Sequence, residues 1–279
     1  MRITTRLAAL LAITSNGSAL AADGEKYSIL VSYETQTESE NSSSSSRGRT
    51  LYSEQIISDS GDCSIKRFDI VDEERRERPL AEWQWPVEVE NCGNGDRKIL
   101  NLPAMEARLS SFLAAAEVPQ DKCGRYYFTW NVFKVECDPQ AILSNIETID
   151  LGSLTLVEGA EYVRSGTPDS TLLRKVTAED GKTKLKAVFA IDPSQFREET
   201  AQSQVIVQEL TGEAISYEEA LAEAQVIEVA GSTTIEFEIA SDRSEITQTT
   251  VTTATIDEPG EGRETQASKV TILRKRAAQ

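Results

Sequence analysis

The chain has 279 residues, a formal net charge of −17 and no histidine. Without imidazole it cannot build a Ser-His-Asp or Cys-His catalytic arrangement, and it lacks the usual nitrogen ligand of zinc. The negative charge would repel a phosphate backbone, so we expect no nucleic-acid partner.

The first residues carry the features of an export signal in the expected order. Arg2 and Arg6 form a short positive region before an apolar run at residues 7–13, which is too short to span a bilayer. Ala-Leu-Ala at residues 19–21 fits a cleavage pattern. We therefore expect residues 1–21 to be a signal peptide and the mature chain to be periplasmic or extracellular. The remaining sequence has no apolar run of about 20 residues, so it predicts no transmembrane segment.

Four cysteines lie in the first half of the chain. An even number in an oxidising compartment predicts two disulfides, for which three pairings exist. The sequential pairing, Cys63 with Cys92 and Cys123 with Cys137, closes the shorter loops and is favoured. It requires the chain to fold back between Cys123 and Cys137, because a straight strand would hold their Cα atoms more than about 7 Å apart. If the segment does not fold back, the cysteines must pair in one of the other two ways.

The cysteine spacing contains no CxxC, which argues against a zinc site. The sequence therefore predicts no metal and no cofactor.

The first half predicts a β-rich lobe at residues 22–150. β-forming residues at 27–37, 50–57 and 63–71 predict an antiparallel meander. The serine-rich stretch 38–49 cannot bury apolar surface, so it predicts a flexible loop between the first two strands.

The clearest helix signal lies at residues 103–118, where apolar side chains recur at helical spacing and Pro119 ends the pattern. Its apolar stripe should pack on a sheet. A second, short helix is expected from the Asp-Pro pair at residues 138–139 to about residue 149.

The second half predicts an antiparallel β lobe at residues 151–279, after a glycine-rich connection at 150–170. The expected elements are a hairpin of strands 172–178 and 183–191, helices at 193–212 and 216–224, and strands at 226–240, 245–256 and 265–273. The fold class is α+β and β-rich: antiparallel sheets packed against a few amphipathic helices and stabilised by disulfides. The pattern leaves open whether the two lobes form one domain.

The aromatic residues allow two interpretations. Trp83 and Trp85 are two residues apart and would share a face of a strand, and the stretch RYYFTWNVFKVEC at 125–137 predicts a core strand. These side chains either pack inside the protein or line a pocket. If a pocket exists, Trp83, Trp85, Tyr127 and Trp130 are the candidate ligand-binding residues.

The sequence contains no GxSxG, P-loop or GxGxxG motif, and no residue is singled out as catalytic. It favours a secreted, soluble binding or interaction protein of a bacterial-type cell envelope, holding an apolar ligand between sheet and helix. One alternative is a carboxylate-based hydrolase acting on a glycan, and another is a structural envelope protein without a small ligand. The expected partner is therefore a protein, or an apolar or glycan ligand.

Overall fold

In a computed structural model the chain is described over residues 24–71, 82–93, 96–128, 132–164, 169–176, 181–213, 215–260 and 262–277. Over these ranges it is β-rich, with a large antiparallel sheet that is not closed, four α-helices and two disulfides. The predicted β-rich, antiparallel character is confirmed, and the small number of helices agrees with an α+β class.

Fourteen strands are formed in the described part of the chain. They are β1 (Lys26–Ser39), β2 (Ser43–Asp59), β3 (Cys63–Ile70), β4 (Val87–Cys92), β5 (Arg97–Ile99), β6 (Tyr126–Phe128), β7 (Val132–Lys134), β8 (Glu161–Val163), β9 (Ser170–Leu172), β10 (Arg174–Val176), β11 (Thr183–Ala190), β12 (Glu228–Ile239), β13 (Glu245–Glu258) and β14 (Gly262–Arg276). Ten of them form one sheet in the order β10-β11-β12-β13-β14-β1-β2-β3-β4-β5, and β6–β7 and β8–β9 are separate pairs. The sheet thus takes strands from both halves of the sequence, which meet where β14 pairs with β1.

The four helices in the described ranges are α1 (Leu102–Ala115), α2 (Ile142–Ile149), α3 (Pro193–Thr211) and α4 (Tyr217–Ala224). Each was predicted to within a few residues. The local signals are the expected ones: Asp192 caps α3, Gly212 ends it in the left-handed conformation, and Ser216 forms a capping box with Glu219.

The predicted flexible loop at 38–49 is wrong. Most of it belongs to the β1–β2 hairpin, whose turn is closed by a hydrogen bond from the Ser39 amide to the Ser42 carbonyl. Residues 43–50 of β2 pair in register with residues 31–38 of β1. The polar serines form a strand here because the neighbouring strand supplies backbone hydrogen bonds, which local composition does not reveal.

The predicted single strand at 125–137 is also wrong. The segment folds back as the β6–β7 hairpin, with Tyr126 opposite Lys134, and residues 129–131 lie outside the described ranges. This fold-back satisfies the predicted sequential pairing. The Cα atoms of Cys123 and Cys137 are 5.4 Å apart, and their disulfide closes the base of the hairpin. The second disulfide joins Cys63 of β3 to Cys92 of β4, which lie directly opposite each other in the sheet.

The connection at 150–170 contains more structure than predicted. It includes β8. This strand pairs with β9, which begins at the last residue of the predicted connection. The strand predicted at 172–178 is divided between β9 and β10, and residues 165–168 and 177–180 lie outside the described ranges.

The main core lies on one face of the sheet. Phe68, Phe237 and Ile246 are fully buried from the sheet side, and Met105 of α1 and Ile142 of α2 are fully buried from the covering side. A second, smaller hydrophobic cluster packs the end of α4 against β12 and β13. It contains Ala224, Ile227, Val229, Ala254 and Ile256. Packed side chains therefore occupy the space between the sheet and the first turns of α1.

Candidate functional site

An open groove of about 740 Å³ lies beside the C-terminal half of α1. One wall is the helix and the residues that follow it, and the other is the Cys123–Cys137 disulfide. The lining residues are Leu109, Ser110, Leu113, Ala114, Glu117, Val118, Pro119, Gln120, Cys123 and Cys137.

The groove lies where the contact between α1 and the core ends. Met105 is fully buried, and Leu109 and Phe112 are partly buried against the core, whereas Ala116, one turn after Phe112, is exposed. The amphipathic stripe therefore continues past the part of the core that it covers. Its last apolar side chains, Leu113 among them, face the groove instead.

The opposite wall is fixed by the base of the β6–β7 hairpin. The Gly124 amide donates to the Val135 carbonyl at 2.8 Å, and the Val135 amide donates to the Arg125 carbonyl at 2.9 Å. Val135 is buried, which anchors the hairpin base, and the disulfide joins Cys123 to Cys137 directly beside it. The groove wall is therefore held by a covalent bond and backbone hydrogen bonds.

The end of α1 places Glu117 beside the groove. Glu117 has a φ of 53°, which places a non-glycine residue in the left-handed region. The Val118 amide donates to the Leu113 carbonyl at 3.0 Å and the Glu117 amide to the Ala114 carbonyl at 3.4 Å. These are the two hydrogen bonds of a Schellman motif, in which the left-handed position normally holds glycine.

The groove is lined by both apolar and polar side chains. Leu109, Leu113 and Val118 supply aliphatic surface, while Glu117 and Gln120 are exposed. Glu117 is exposed, and no ion pair joins it to another described residue. Such a surface suits a ligand that has an apolar body and a polar end.

A second unusual feature is a cluster of four buried charges beneath the sheet. Arg274 donates to both carboxylate oxygens of Glu54, at 2.6 and 3.2 Å, and Lys66 donates to Asp150 at 2.6 Å. Ser153 accepts from Lys66 at 2.9 Å and donates to the second oxygen of Asp150 at 2.6 Å. The cluster has two positive and two negative charges and links β2, β3 and β14 to the segment after α2.

The charges in this cluster stabilise each other. Burial alone would raise the pKa of Asp150, but the charge and hydrogen bond of Lys66 outweigh it and hold that pKa below its usual value. Burial alone would lower the pKa of Lys66, but Asp150 and Glu54 outweigh it and raise that pKa. A general acid needs a raised carboxyl pKa, so this arrangement suits a structural clamp better than the glycan-hydrolysing carboxylate pair considered above.

The structure places the predicted aromatic residues as follows. Trp83 and Trp85 are 4% and 8% exposed and belong to the core cluster, where Trp85 lies 5.1 Å from the ring of Tyr52. Tyr127 lies on β6, but its side chain is outside the described part, and Trp130 is outside the described ranges altogether. Trp83 and Trp85 thus pack inside the protein.

The residues that line the groove were not predicted as a site, apart from the two cysteines. The apolar spacing of α1 identified Leu109 and Leu113, but as core residues. Nothing in the local sequence signals the left-handed conformation of Glu117, since glycine is the residue expected there.

Two negative findings concern the described residues alone. They contain no group of three or more Cys, Asp or Glu arranged to hold a metal ion. None of their helices combines the length and the apolar character needed to cross a membrane.

No family model and no curated protein matches the chain. Among solved structures, one of lipid–protein interactions in lipovitellin aligns with 8% identity and a TM-score of 0.37 over 92% of this chain and 26% of that one. The outer membrane protein OprG from Pseudomonas aeruginosa aligns with 6% identity and a TM-score of 0.15 over 91% of this chain and 98% of that one. The chain thus spans about a quarter of the lipovitellin chain, and both scores are too low to carry an argument about this protein.

Proposed function

We propose that this chain is an exported, soluble binding protein whose groove beside α1 takes a small amphiphile with an apolar chain and an uncharged or cationic polar end. The observation that carries the proposal is the groove itself, about 740 Å³ in volume and lined by aliphatic side chains and one carboxylate. Small-molecule sites usually have volumes of about 300–1,000 Å³ and combine apolar walls with a few polar groups.

The chemistry of the groove favours one orientation of the ligand. An apolar chain would lie along Leu109, Leu113 and Val118, with its polar end toward Glu117 and Gln120. Glu117 and the net charge of −17 both disfavour an anionic end. The ligand would lie in the open groove rather than between the sheet and the first half of α1, because packed side chains fill that space.

The proposed export rests on a separate observation. Two disulfides are formed, and disulfides persist in oxidising compartments such as the periplasm or the cell exterior. Together with the signal-like order of features at residues 1–21, they support a protein of a bacterial-type cell envelope.

The test compares three probes that share a dodecyl chain and differ in head group: dodecylammonium, dodecyl maltoside and dodecanoate. Isothermal titration below their aggregation concentrations should give measurable binding for the cationic and neutral probes and weaker binding for the anionic one. Equal binding of all three, or binding of none, would contradict the proposal.

Two variants locate the binding. Ala114→Trp places a large side chain in the groove and should abolish binding, because Ala114 is exposed and lines it. Ala115→Trp is the matched control, since Ala115 is the exposed neighbour on the same helix and does not line the groove. Equal effects of the two tryptophans would place the ligand elsewhere.

A further pair tests the rim carboxylate. Glu117→Gln should weaken dodecylammonium binding by about two- to fivefold, the range for an exposed charge pair, and leave dodecyl maltoside unchanged. Glu106→Gln, an exposed glutamate earlier on α1, removes the same charge outside the groove and should affect neither probe.

A further inference from the structure

A second hollow, of about 520 Å³, lies on the exposed face of the sheet where β2, β1 and β14 run side by side. We call it the cationic hollow; it is lined by Ser32, Tyr33, Glu34, Arg47, Gly48, Arg49, Lys269 and Thr271. It therefore gathers three cations around one carboxylate in a chain whose net charge is −17.

The strand register explains how these side chains meet. Ser32 of β1 lies opposite Arg49 of β2 and Thr271 of β14, which forms one row across three strands. Glu34 lies opposite Arg47 and Lys269, which forms the next row. Cross-strand neighbours have Cβ atoms about 4.5–5.5 Å apart, so groups in both rows can contact one small ligand.

The rows face away from the core. Side chains alternate along β1, and Ile29 is fully buried on the core side, so Ser32 and Glu34 lie on the opposite, solvent-exposed face. Arg47, Arg49 and Lys269 are all exposed. Tyr33 and Gly48 lie between the rows, where their backbone forms part of the floor.

The three cations are not used in ion pairs with the described part of the chain. Other lysines on the same face of the sheet do form ion pairs: Lys184 lies 2.8 Å from Glu238, and Lys186 lies 2.9 Å from Glu236. The sheet elsewhere matches its cations with carboxylates across strands, whereas the cationic hollow holds an excess of positive charge beside two hydroxyl groups.

We propose that the cationic hollow binds the acidic groups of a negatively charged glycan. Guanidinium groups suit carboxylate and sulfate because their paired N–H donors match two oxygens, and the Ser32 and Thr271 hydroxyls can hydrogen-bond to sugar hydroxyls. The row next to Glu34 on this face, which consists of Gln36, Ser45 and Ala267, is uncharged, so no fixed carboxylate of that row opposes an acidic ligand.

The remaining charge of the protein favours a glycan over a nucleic acid. Double-stranded DNA carries one charge per about 1.7 Å of its axis, which the net charge of −17 would repel, whereas a polyuronate carries a single carboxylate on each sugar residue. This site is independent of the groove beside α1 and prefers ligands of the opposite charge.

The test measures binding of polygalacturonate oligomers, which carry carboxylates, and dextran sulfate oligomers, which carry sulfates, with neutral dextran as reference. Arg47→Gln/Arg49→Gln should weaken binding of the charged oligomers at least about tenfold, since two charge-assisted contacts are lost. Lys184→Gln/Lys186→Gln removes the same charge from the same sheet face and should change the affinity less than about twofold.

Glu34→Gln provides a test in the opposite direction. It removes the one carboxylate in the cationic hollow, so it should tighten binding of both charged oligomers, and a gain of this kind cannot come from misfolding. Equal losses in the two double variants, neutral dextran bound as well as the charged oligomers, or a short DNA bound more tightly than either would overturn the proposal.

Discussion

Glu117 combines a structural cost with a place in the candidate site. Its φ of 53° is unfavourable for a residue with a Cβ, and the two hydrogen bonds of the Schellman motif hold it there. Backbone strain of this kind is found at functional sites, where the surrounding structure fixes a side chain in a useful direction. Here the carboxylate is placed at the rim of the groove.

Replacing Glu117 with glycine should therefore stabilise the fold. We expect Glu117→Gly to raise the free energy of unfolding by about 0.5–1.5 kcal/mol, because glycine adopts a positive φ without steric cost. Ala116→Gly is the control: Ala116 has a φ of −85°, so glycine there should lower stability by about 0.5–1 kcal/mol. Urea denaturation measures both changes, and a loss of stability in Glu117→Gly would show that the left-handed backbone is not strained.

The buried charge cluster predicts strong coupling between Lys66 and Asp150. Lys66→Met should lower the free energy of unfolding by about 3–5 kcal/mol, because Asp150 would remain buried without its counter-charge. Lys66→Met/Asp150→Asn leaves the Arg274–Glu54 pair balanced, so it should be less destabilised than the sum of the single variants. Chemical denaturation of the four proteins completes the cycle, and additive losses would mean that the two side chains do not stabilise each other.

At the scale of elements, the sequence alone was sufficient to locate an element whose signals lie within its own residues. The apolar spacing of α1, the Asp-Pro start of α3 and the capping box of α4 are all carried by adjacent residues, and those helices lie where they were predicted. The strand at residues 43–49 could not be found in this way. Its serines become a strand only because the first strand runs beside them, and that pairing lies outside any short window of sequence.

The serine-rich strand makes a position-specific prediction. The Ser39–Ser42 hydrogen bond sets the alternation of the hairpin, so Ser46 opposite Thr35 is a hydrogen-bonded position and Ser45 opposite Gln36 is not. Ser46→Pro should remove a ladder hydrogen bond and abolish hydrogen-exchange protection at the neighbouring hydrogen-bonded amides of Ser44 and Gly48, whereas Ser45→Pro should affect them less. Similar loss of protection in both variants, or no protection in the parent protein, would support the flexible loop instead.

The whole molecule depends on the pairing of its first and last strands. Ile29 of β1 lies opposite Arg274 of β14, and Arg274 reaches across to Glu54 of β2. The central contacts of the sheet therefore join residues about 220 positions apart in sequence. This long-range pairing explains why sequence alone left the number of domains open.

Separating the two halves should consequently prevent folding. Residues 24–150 and 151–277, produced apart under oxidising conditions, should each lack a cooperative thermal transition, since each exposes one side of the β1–β14 contact. Mixed together they should recover strand content by circular dichroism. A cooperative transition in either half alone would establish it as an independent domain.

The candidate site was only partly predictable for the same reason. The spacing of α1 and the cysteine pairing were read from the sequence, but the groove forms only when the hairpin closed by Cys123 and Cys137 folds back beside the helix. Trp83 and Trp85 were candidate ligand-binding residues because exposed indoles can bind ligands, yet the fold buries both in its core.

The most direct test of the ligand site is an amide chemical-shift titration of the isotope-labelled protein with dodecylammonium. We expect shifts concentrated at residues 109–120 and around Cys123 and Cys137, following a single saturating curve. Shifts confined to the opposite face of the sheet at residues 32–34 and 47–49, or no saturable shifts at the groove, would contradict the assignment of the groove as the binding site.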